Sequence, residues 1–194
     1  MIKLRTATPK DGAALAEIYA YYVKNTAISF EYEAPDQDEF SSRIEHKLEK
    51  YPYLVAEIDG KAVGYAYASE FRERAAYGWD AELSVYVQKD ARYGGVGQLL
   101  YTALIGLLKA QNFVNLYAWI TTPNPVSERF HEKMGFMKLC EIPKAGYKNQ
   151  NWYGITWYSL SLCGGKPKPI IPFPDLGSEA IEGIISDASK TQLI

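Results

Sequence analysis

Sulfur and histidine are scarce in this chain of 194 residues, which has two cysteines and two histidines. Cys140 and Cys163 form no C-x-x-C pair and no disulfide framework, which fits a reducing cytoplasm. So few soft ligands give no basis for a structural zinc site, and no metal is expected. No stretch approaches the roughly 20 apolar residues that span a bilayer. The opening Met1-Ile2-Lys3-Leu4-Arg5 lacks the apolar run of an export signal. Charge of one sign is also missing, since the formal net charge is −2, and this gives no electrostatic case for a nucleic-acid partner. A cytoplasmic protein with neither membrane nor nucleic acid as partner is expected. The length suits one domain with a sizeable core.

Aromatic side chains are what the chain does have, and Tyr19, Tyr21 and Tyr22 point to an aromatic-rich core or interface. Ile2 and Leu4 alternate with Lys3 and Arg5 as a short strand. Thr8-Pro9-Lys10-Asp11 starts a helix that the spacing of Leu15, Ile18, Tyr19 and Tyr22 carries to about Val23. Ile28 to Tyr32 reads as a short extended piece, and Asp36 with Glu39 caps a second helix. Strands follow at Tyr53 to Ile58, Ala62 to Ala68 and Trp79 to Val87, with Asp59-Gly60 as a hairpin turn, so these three form an antiparallel meander. Gly64 inside the second of them marks a bulge or a close approach. A helix from Leu99 to Ala110 and a strand from Val114 to Ile120 complete a parallel β-α-β unit. Asn124-Pro125 opens another helix that ends at Gly135. Phe136 to Ile142 and Trp152 to Leu162 read as a last antiparallel pair with a long basic connection. The composition then turns proline-rich, which divides the chain into a domain over 1–163 and a tail over 164–194. Glu179 to Lys190 has the spacing of a short amphipathic helix, and the tail reads as an arm on the domain, an arm on a second copy, or a disordered end.

The stretch Ala91-Arg92-Tyr93-Gly94-Gly95-Val96-Gly97-Gln98 lies between a strand and a helix. Helix N-termini carry unpartnered N–H groups and positive dipole, and glycines let an anion approach them. No Gly-Lys-Ser/Thr follows, so the loop is not a nucleotide P-loop. It follows an antiparallel meander and lacks the G-x-G-x-x-G spacing, so it is not a dinucleotide fingerprint either.

Arg92-Tyr93-Gly94-Gly95-Val96-Gly97 is similar to the Gln/Arg-x-x-Gly-x-Gly/Ala pattern of the GNAT acetyltransferases. The order of elements over about residues 1–162 resembles theirs too. Within that superfamily Ser29-Phe30-Glu31, Tyr77-x-Trp79, Glu82-Leu83-Ser84-Val85-Tyr86-Val87, Asn124 with Ser127, Phe130-His131-Glu132 and Ala145-Gly146-Tyr147-Lys148 resemble the phosphinothricin N-acetyltransferase group. The resemblance implies an α/β (α+β) GNAT fold, a mixed central sheet of about seven strands with flanking helices. It implies acetyl-CoA as co-substrate, with its pyrophosphate on Arg92, Tyr93, Gly94, Gly95, Val96, Gly97 and Gln98. The pantetheine arm would lie along Val85, Tyr86 and Val87, with contacts from Asn124 and Ser127. The acceptor is implied to be a small amino-acid-like amine such as phosphinothricin or methionine sulfoximine. Its pocket would be lined by Phe30, Arg72, Glu73, Arg74, Tyr77, Glu82, Leu83 and Ser84, where two arginines suit a carboxylate or phosphinate. A homodimer is implied as well.

Two side chains are candidates for proton transfer. Strand alternation puts Glu82 on the face of Ser84 and Tyr86, and an amine must lose a proton before it can attack. The matching glutamate is the proposed base of the phosphinothricin group. His131 stands where many GNAT members have the tyrosine that protonates the departing thiolate. The alternatives are a GNAT acting on a polyamine, an aminoglycoside or a protein N-terminus, and an acyl-CoA-binding sensor without turnover. For Tyr147, Lys148 and Trp152, core or dimer packing is expected.

Overall fold

The computed structural model describes residues 2–91 and 94–191. Seven strands form one mixed sheet, β1 (Ile2–Thr6), β2 (Tyr53–Ile58), β3 (Lys61–Glu70), β4 (Asp80–Val87), β5 (Asn115–Thr122), β6 (Met137–Lys148) and β7 (Asn151–Ser161). Their order across the sheet is β1-β2-β3-β4-β5-β7-β6, and only β4 and β5 run parallel. Among the described residues five helices flank it, α1 (Gly12–Asn25), α2 (Gln37–Leu48), α3 (Val96–Ala110), α4 (Pro125–Lys133) and α5 (Ser178–Thr191).

The pleat sorts β2, β3 and β4 between two cores. On β2, Leu54 and Ala56 join the core under α3, while Tyr53 and Val55 join the one under α1 and α2. The second core is built of tyrosines. The Tyr65 and Tyr86 rings stack at 5.3 Å between centroids, and Tyr19 and Tyr22 of α1 meet Tyr86 edge-on at 5.0 and 5.1 Å. The expected bulge is present, since the β2–β3 register shifts between Ala56 and Glu57, opposite Gly64.

Local chemistry sets the helix ends. The Asp36 carboxylate accepts from the Glu39 N–H at 2.9 Å at the start of α2, as its sequence predicts. Before α1, residues 9–11 form a short 3-10 turn in which Asp11 accepts from the Thr8 N–H at 2.7 Å. Arg5 of β1 clamps the same carboxylate through two bonds of 2.6 and 2.8 Å. The extended piece expected over 28–32 is an irregular loop instead. Side chains hold it there: Ser29 Oγ lies 2.7 Å from the Tyr19 hydroxyl, and Arg43 grips Glu31 at 2.9 Å.

Strand β6 runs past the expected end at Ile142 as far as Lys148. The connection read as a loop continues as a hairpin whose two turn residues, Asn149 and Gln150, have φ of 49° and 62°. Positive φ at both central positions matches the twist of a two-residue hairpin, a geometry that Asn-Gln signals less plainly than Asn-Gly. Buried Lys148 anchors this end by donating to the carbonyls of Val23 and Ser29, both at 2.7 Å.

Residues 164–191 return across the domain. The Gln111 amide donates to Lys50 O and Ile171 O, both at 2.8 Å, and the Trp79 indole donates to Lys168 O at 2.6 Å. Phe173 is buried, and Ile181, Ile184 and Ile185 of α5 pack on the core under α3. At Gly106 of α3 an added Cβ would stand 2.9 Å from Ile184 Cγ2. Gly106→Leu should therefore lever α5 away and cost about 1–3 kcal/mol as overpacking does. Differential scanning fluorimetry should show a lower Tm, and limited proteolysis faster cleavage over 164–177. An unchanged Tm and cleavage pattern would mean that α5 does not sit on α3 in solution.

Candidate active site

β4 and β5 are paired only at Asp80 with Asn115, Ala81 with Leu116, and Glu82 with Tyr117. Beyond Glu82 the two strands part. β4 stays with β3 as far as Val87, and β5 stays with β7 as far as Thr122. The opening between them is a cleft of about 70 Å³, with residues 83–86 on one wall and 118–121 on the other. The Tyr22 hydroxyl crosses to the end of β4, donating to Val87 O at 2.5 Å and accepting from Val87 N–H at 3.2 Å. Val87 therefore turns its peptide groups away from β3. Ladder alternation points those of Val85 the same way, into the opening. An extended amide chain laid there would find a donor and an acceptor at strand spacing.

The glycine loop lies beside the end of β4, where a Cβ at Gly97 would stand 3.8 Å from Val87 Cγ2. Gly95 precedes α3 with φ of 76°, a left-handed conformation that favours glycine. Packing does not require the other two glycines, because a Cβ at Gly94 or Gly97 would meet nothing closer than 3.7 and 3.6 Å. Their bareness leaves the first N–H groups of α3 open to an anion. Arg92 and Tyr93, expected in the same clamp, lie outside the described residues. Asn124 caps α4, its side chain accepting from Ser127 N–H at 3.3 Å, and both residues line the cleft.

His131 is buried at the back. Its Nδ1 lies 2.8 Å from the carbonyl oxygen of Ser127, so Nδ1 carries the hydrogen. Its Nε2 then accepts from the Tyr101 hydroxyl at 3.1 Å. Burial pushes its pKa below the usual histidine value. Both ring nitrogens are engaged in the neutral form, and neither offers a proton to the cleft.

Glu82 sits at the last paired position, between Ser69 of β3 and Tyr117 of β5. Burial raises its pKa above the ordinary carboxylate value, and the nearby charges of Lys47 and Arg72 hold part of that rise back. A second cavity of about 860 Å³ opens on the connector after β3, lined by Arg72, Glu73, Arg74, Tyr77 and Trp157 among others. The Arg72 guanidinium lies over the rings of Phe71, Trp119 and Trp157 at 5.5, 5.9 and 5.7 Å. Four of the expected acceptor-pocket residues do not line it: Leu83 and Ser84 line the cleft, Glu82 lines neither, and Phe30 stands apart. The Phe30 ring lies over Gly146 of β6, where a Cβ would collide with it, and neighbouring Glu31 is taken up by Arg43 and Tyr19.

The acetyltransferase (GNAT) domain family matches residues 4–157. The chain belongs to the GNAT acetyltransferases. It is 33% identical over 172 residues to phosphinothricin N-acetyltransferase of Streptomyces viridochromogenes, covering 88% of this chain and 94% of that one. It is 31% identical over 160 residues to L-methionine sulfoximine/L-methionine sulfone acetyltransferase of Salmonella typhimurium, covering 82% and 94%. Among solved structures, a GNAT phosphinothricin acetyltransferase from Sinorhizobium meliloti in complex with AcCoA is similar at a TM-score of 0.84 and 32% identity, covering 91% of this chain and 99% of that one.

In this GNAT chain several site residues escape a reading of the sequence. Trp119 and Trp157 are register partners whose rings stack at 4.3 Å, yet each reads only as a strand residue. Tyr101 reads as one more buried position of α3, and Tyr22 as one of α1. The abundance of tyrosine was the available signal, but it carried no information about which hydroxyl faces a cleft. The neutral His131 has a direct consequence. His131→Gln should lower kcat/KM by less than about tenfold, below the ~10²–10⁴ that general acid–base groups contribute, and leave the pH profile from 6 to 9 unchanged in shape. Loss of the alkaline limb in that variant would show that His131 does supply a proton.

Proposed function

We propose that this acetyltransferase moves the acetyl group of acetyl-CoA to the primary amine of a small amino-acid-like acceptor of the phosphinothricin or methionine sulfoximine type. The observation that carries the reading is the place of Glu82. It is a half-buried carboxylate at the fork of β4 and β5, next in the chain to Leu83 of the cleft and within electrostatic reach of Arg72, which lines the larger cavity. The names of the relatives support the acceptor class. The paired arginines favour an acceptor bearing a carboxylate or phosphinate and disfavour polyamines and aminoglycosides.

The residues divide the work as follows. The N-terminus of α3, with Gly94, Gly95, Val96, Gly97 and Gln98, holds the pyrophosphate, and Arg92 and Tyr93 belong to the same clamp. Val85 and Tyr86 wall the cleft for the pantetheine arm beside Asn124 and Ser127; the arm pairs with the open peptide of Val85, since that of Val87 is held by Tyr22. Arg72 and Arg74, with Glu73 and Tyr77, hold the acceptor's anionic end while Leu83 and Ser84 wall the junction. Glu82 takes the proton from the acceptor's ammonium. The freed lone pair attacks the thioester carbonyl, whose developing negative charge the Val85 N–H stabilises; the C–S bond breaks, CoA leaves as the thiolate, and the second amine proton passes to that thiolate or to water. An ordinary thiol has a pKa of about 8.5, so the thiolate departs without a dedicated acid. That leaves His131 as a buried brace for Tyr101.

The raised pKa of Glu82 fits this task, because a base poised nearer neutrality accepts a proton more readily. The strand β6 supports a homodimer: it is an edge strand, and Met137, Leu139 and Ile142 are exposed along it. Cys140 and Cys163 are free and exposed, which favours a reducing cytoplasm.

Free-thiol release from acetyl-CoA, read across amino acids, their phosphinate and sulfoximine analogues, polyamines, an aminoglycoside and an N-terminal peptide, tests the acceptor class. Anionic amino-acid-like amines should lead, and a cationic or peptide acceptor turned over faster would overturn the reading. Glu82→Gln should cost about 10²-fold or more in kcat/KM at pH 7, as loss of a general base does. Arg72→Ala should raise the acceptor KM about tenfold or more, the worth of a hydrogen bond to a charged group, with acetyl-CoA affinity unchanged. Wild-type acceptor KM in that variant would remove Arg72 from the pocket.

A further inference from the structure

We propose that Lys47 of α2 is a positioning residue for the transfer: its ammonium, laid on the ring of Tyr67, is the standing countercharge that keeps the carboxylate of Glu82 ionised. The inference rests on Glu82 being the base.

Three lysine and arginine side chains leave the second half of α2 and the turn after it, and they differ in what they meet. Arg43 spends its charge on Glu31 and Glu39, at 2.9 and 2.5 Å. Lys50 lies over Tyr51 at the helix end. Lys47 is half-buried, its Nζ stands 4.8 Å above the Tyr67 ring, and among the described residues it has no carboxylate within salt-bridge distance. A half-buried ammonium without an ion pair is costly, and here a ring face meets only part of that cost.

Tyr67 lies opposite Ser84 in the β3–β4 ladder, and Ser69, two residues on, lies opposite Glu82. Tyr67, Ser69, Ser84 and Glu82 thus share one face of the sheet, the face that α2 covers. The cation is laid over the position next to the base, close enough for the two charges to act on each other, yet not close enough to bond. Such spacing leaves the carboxylate oxygens free to receive a proton. A direct salt bridge would block them.

The groups facing Glu82 come from each neighbouring element. They are Lys47 from α2, Arg72 from the connector, Tyr67 from β3, Tyr101 from α3 and Tyr117 from β5. Only the first two are cations. Arg72 lines the acceptor cavity, so an anionic acceptor takes up its charge when it binds. Lys47 is then the cation left to Glu82 at the moment the proton must move. Burial lowers the Lys47 pKa, so it is a cation whose charge is costly to hold, and the attraction to Glu82 offsets part of that burden.

The test is the pH dependence of kcat/KM from 5.5 to 9.5 for the wild type, Lys47→Met, Lys47→Arg and Glu82→Gln with one acceptor. Using the same acceptor throughout cancels the titration of its own amine. Lys47→Met should move the acid limb upward by about half to one pH unit, a three- to tenfold loss below the limb, and rejoin the wild type near pH 9. Lys47→Arg should restore the limb. Acetyl-CoA affinity and Tm should match the wild type in both variants, and Lys47→Gln gives the same readout if Lys47→Met folds poorly. An unshifted limb in Lys47→Met and Lys47→Gln would overturn the proposal while leaving Glu82 as base. An acid limb that survives in Glu82→Gln would overturn the base itself. A rise in acceptor KM of equal size at every pH would make Lys47 an acceptor contact, which also overturns the proposal.

Discussion

One parallel strand pair that stops early organises the molecule. Three register pairs join β4 to β5, and after Glu82 each strand keeps only its antiparallel neighbour. Backbone groups in mid-sheet normally find partners, and strands in mid-sheet do not part without something to support the gap. Here the Tyr22 hydroxyl serves the peptide of Val87, and Tyr101 with His131 fills the space behind. The remaining opening is strand-shaped, and the peptide of Val85 faces it. The N-terminus of α3 stands beside one end and Glu82 at the other, so the proposed anion site, strand site and base follow one strand.

Placing a carboxylate at the fork has an electrostatic cost that the surroundings only partly offset. Burial raises the Glu82 pKa, and two cations from different elements hold it back. Arg72 is fixed by rings rather than by a carboxylate, and so is Lys47. Aromatic faces hold a cation in place without neutralising it. That explains why a tyrosine- and tryptophan-rich region surrounds the chemistry: it fixes charges and leaves them available. The contrast with Arg43 and Arg5, each tied to two carboxylates, separates structural cations from available ones.

Local signals in the sequence were readable where the physics is local. The glycine loop before a helix, the Asn124 cap, the meander and the parallel crossover all depend on residues near one another in the chain. Glu82 was found by alternation along a single strand. The point where β4 and β5 part was not legible, because it is set by pairing between strands about 35 residues apart and by a tyrosine from α1. Trp119 and Trp157 were invisible as a pair for the same reason. Lys47 gives no signal in the sequence, because a lysine on an amphipathic helix reads as a solvated face until the ring beneath it is known. The hairpin turn between β6 and β7 carries no plain signal, because Asn-Gln lacks the glycine that usually marks such a turn.

The most direct measurement is residue-resolved amide hydrogen exchange with and without acetyl-CoA. Binding along the fork predicts new protection at the amide of Val85 and at those of Val96, Gly97 and Gln98, with little change over residues 70–77. Protection confined to 70–77, or none on β4, would contradict it and place the acyl donor elsewhere.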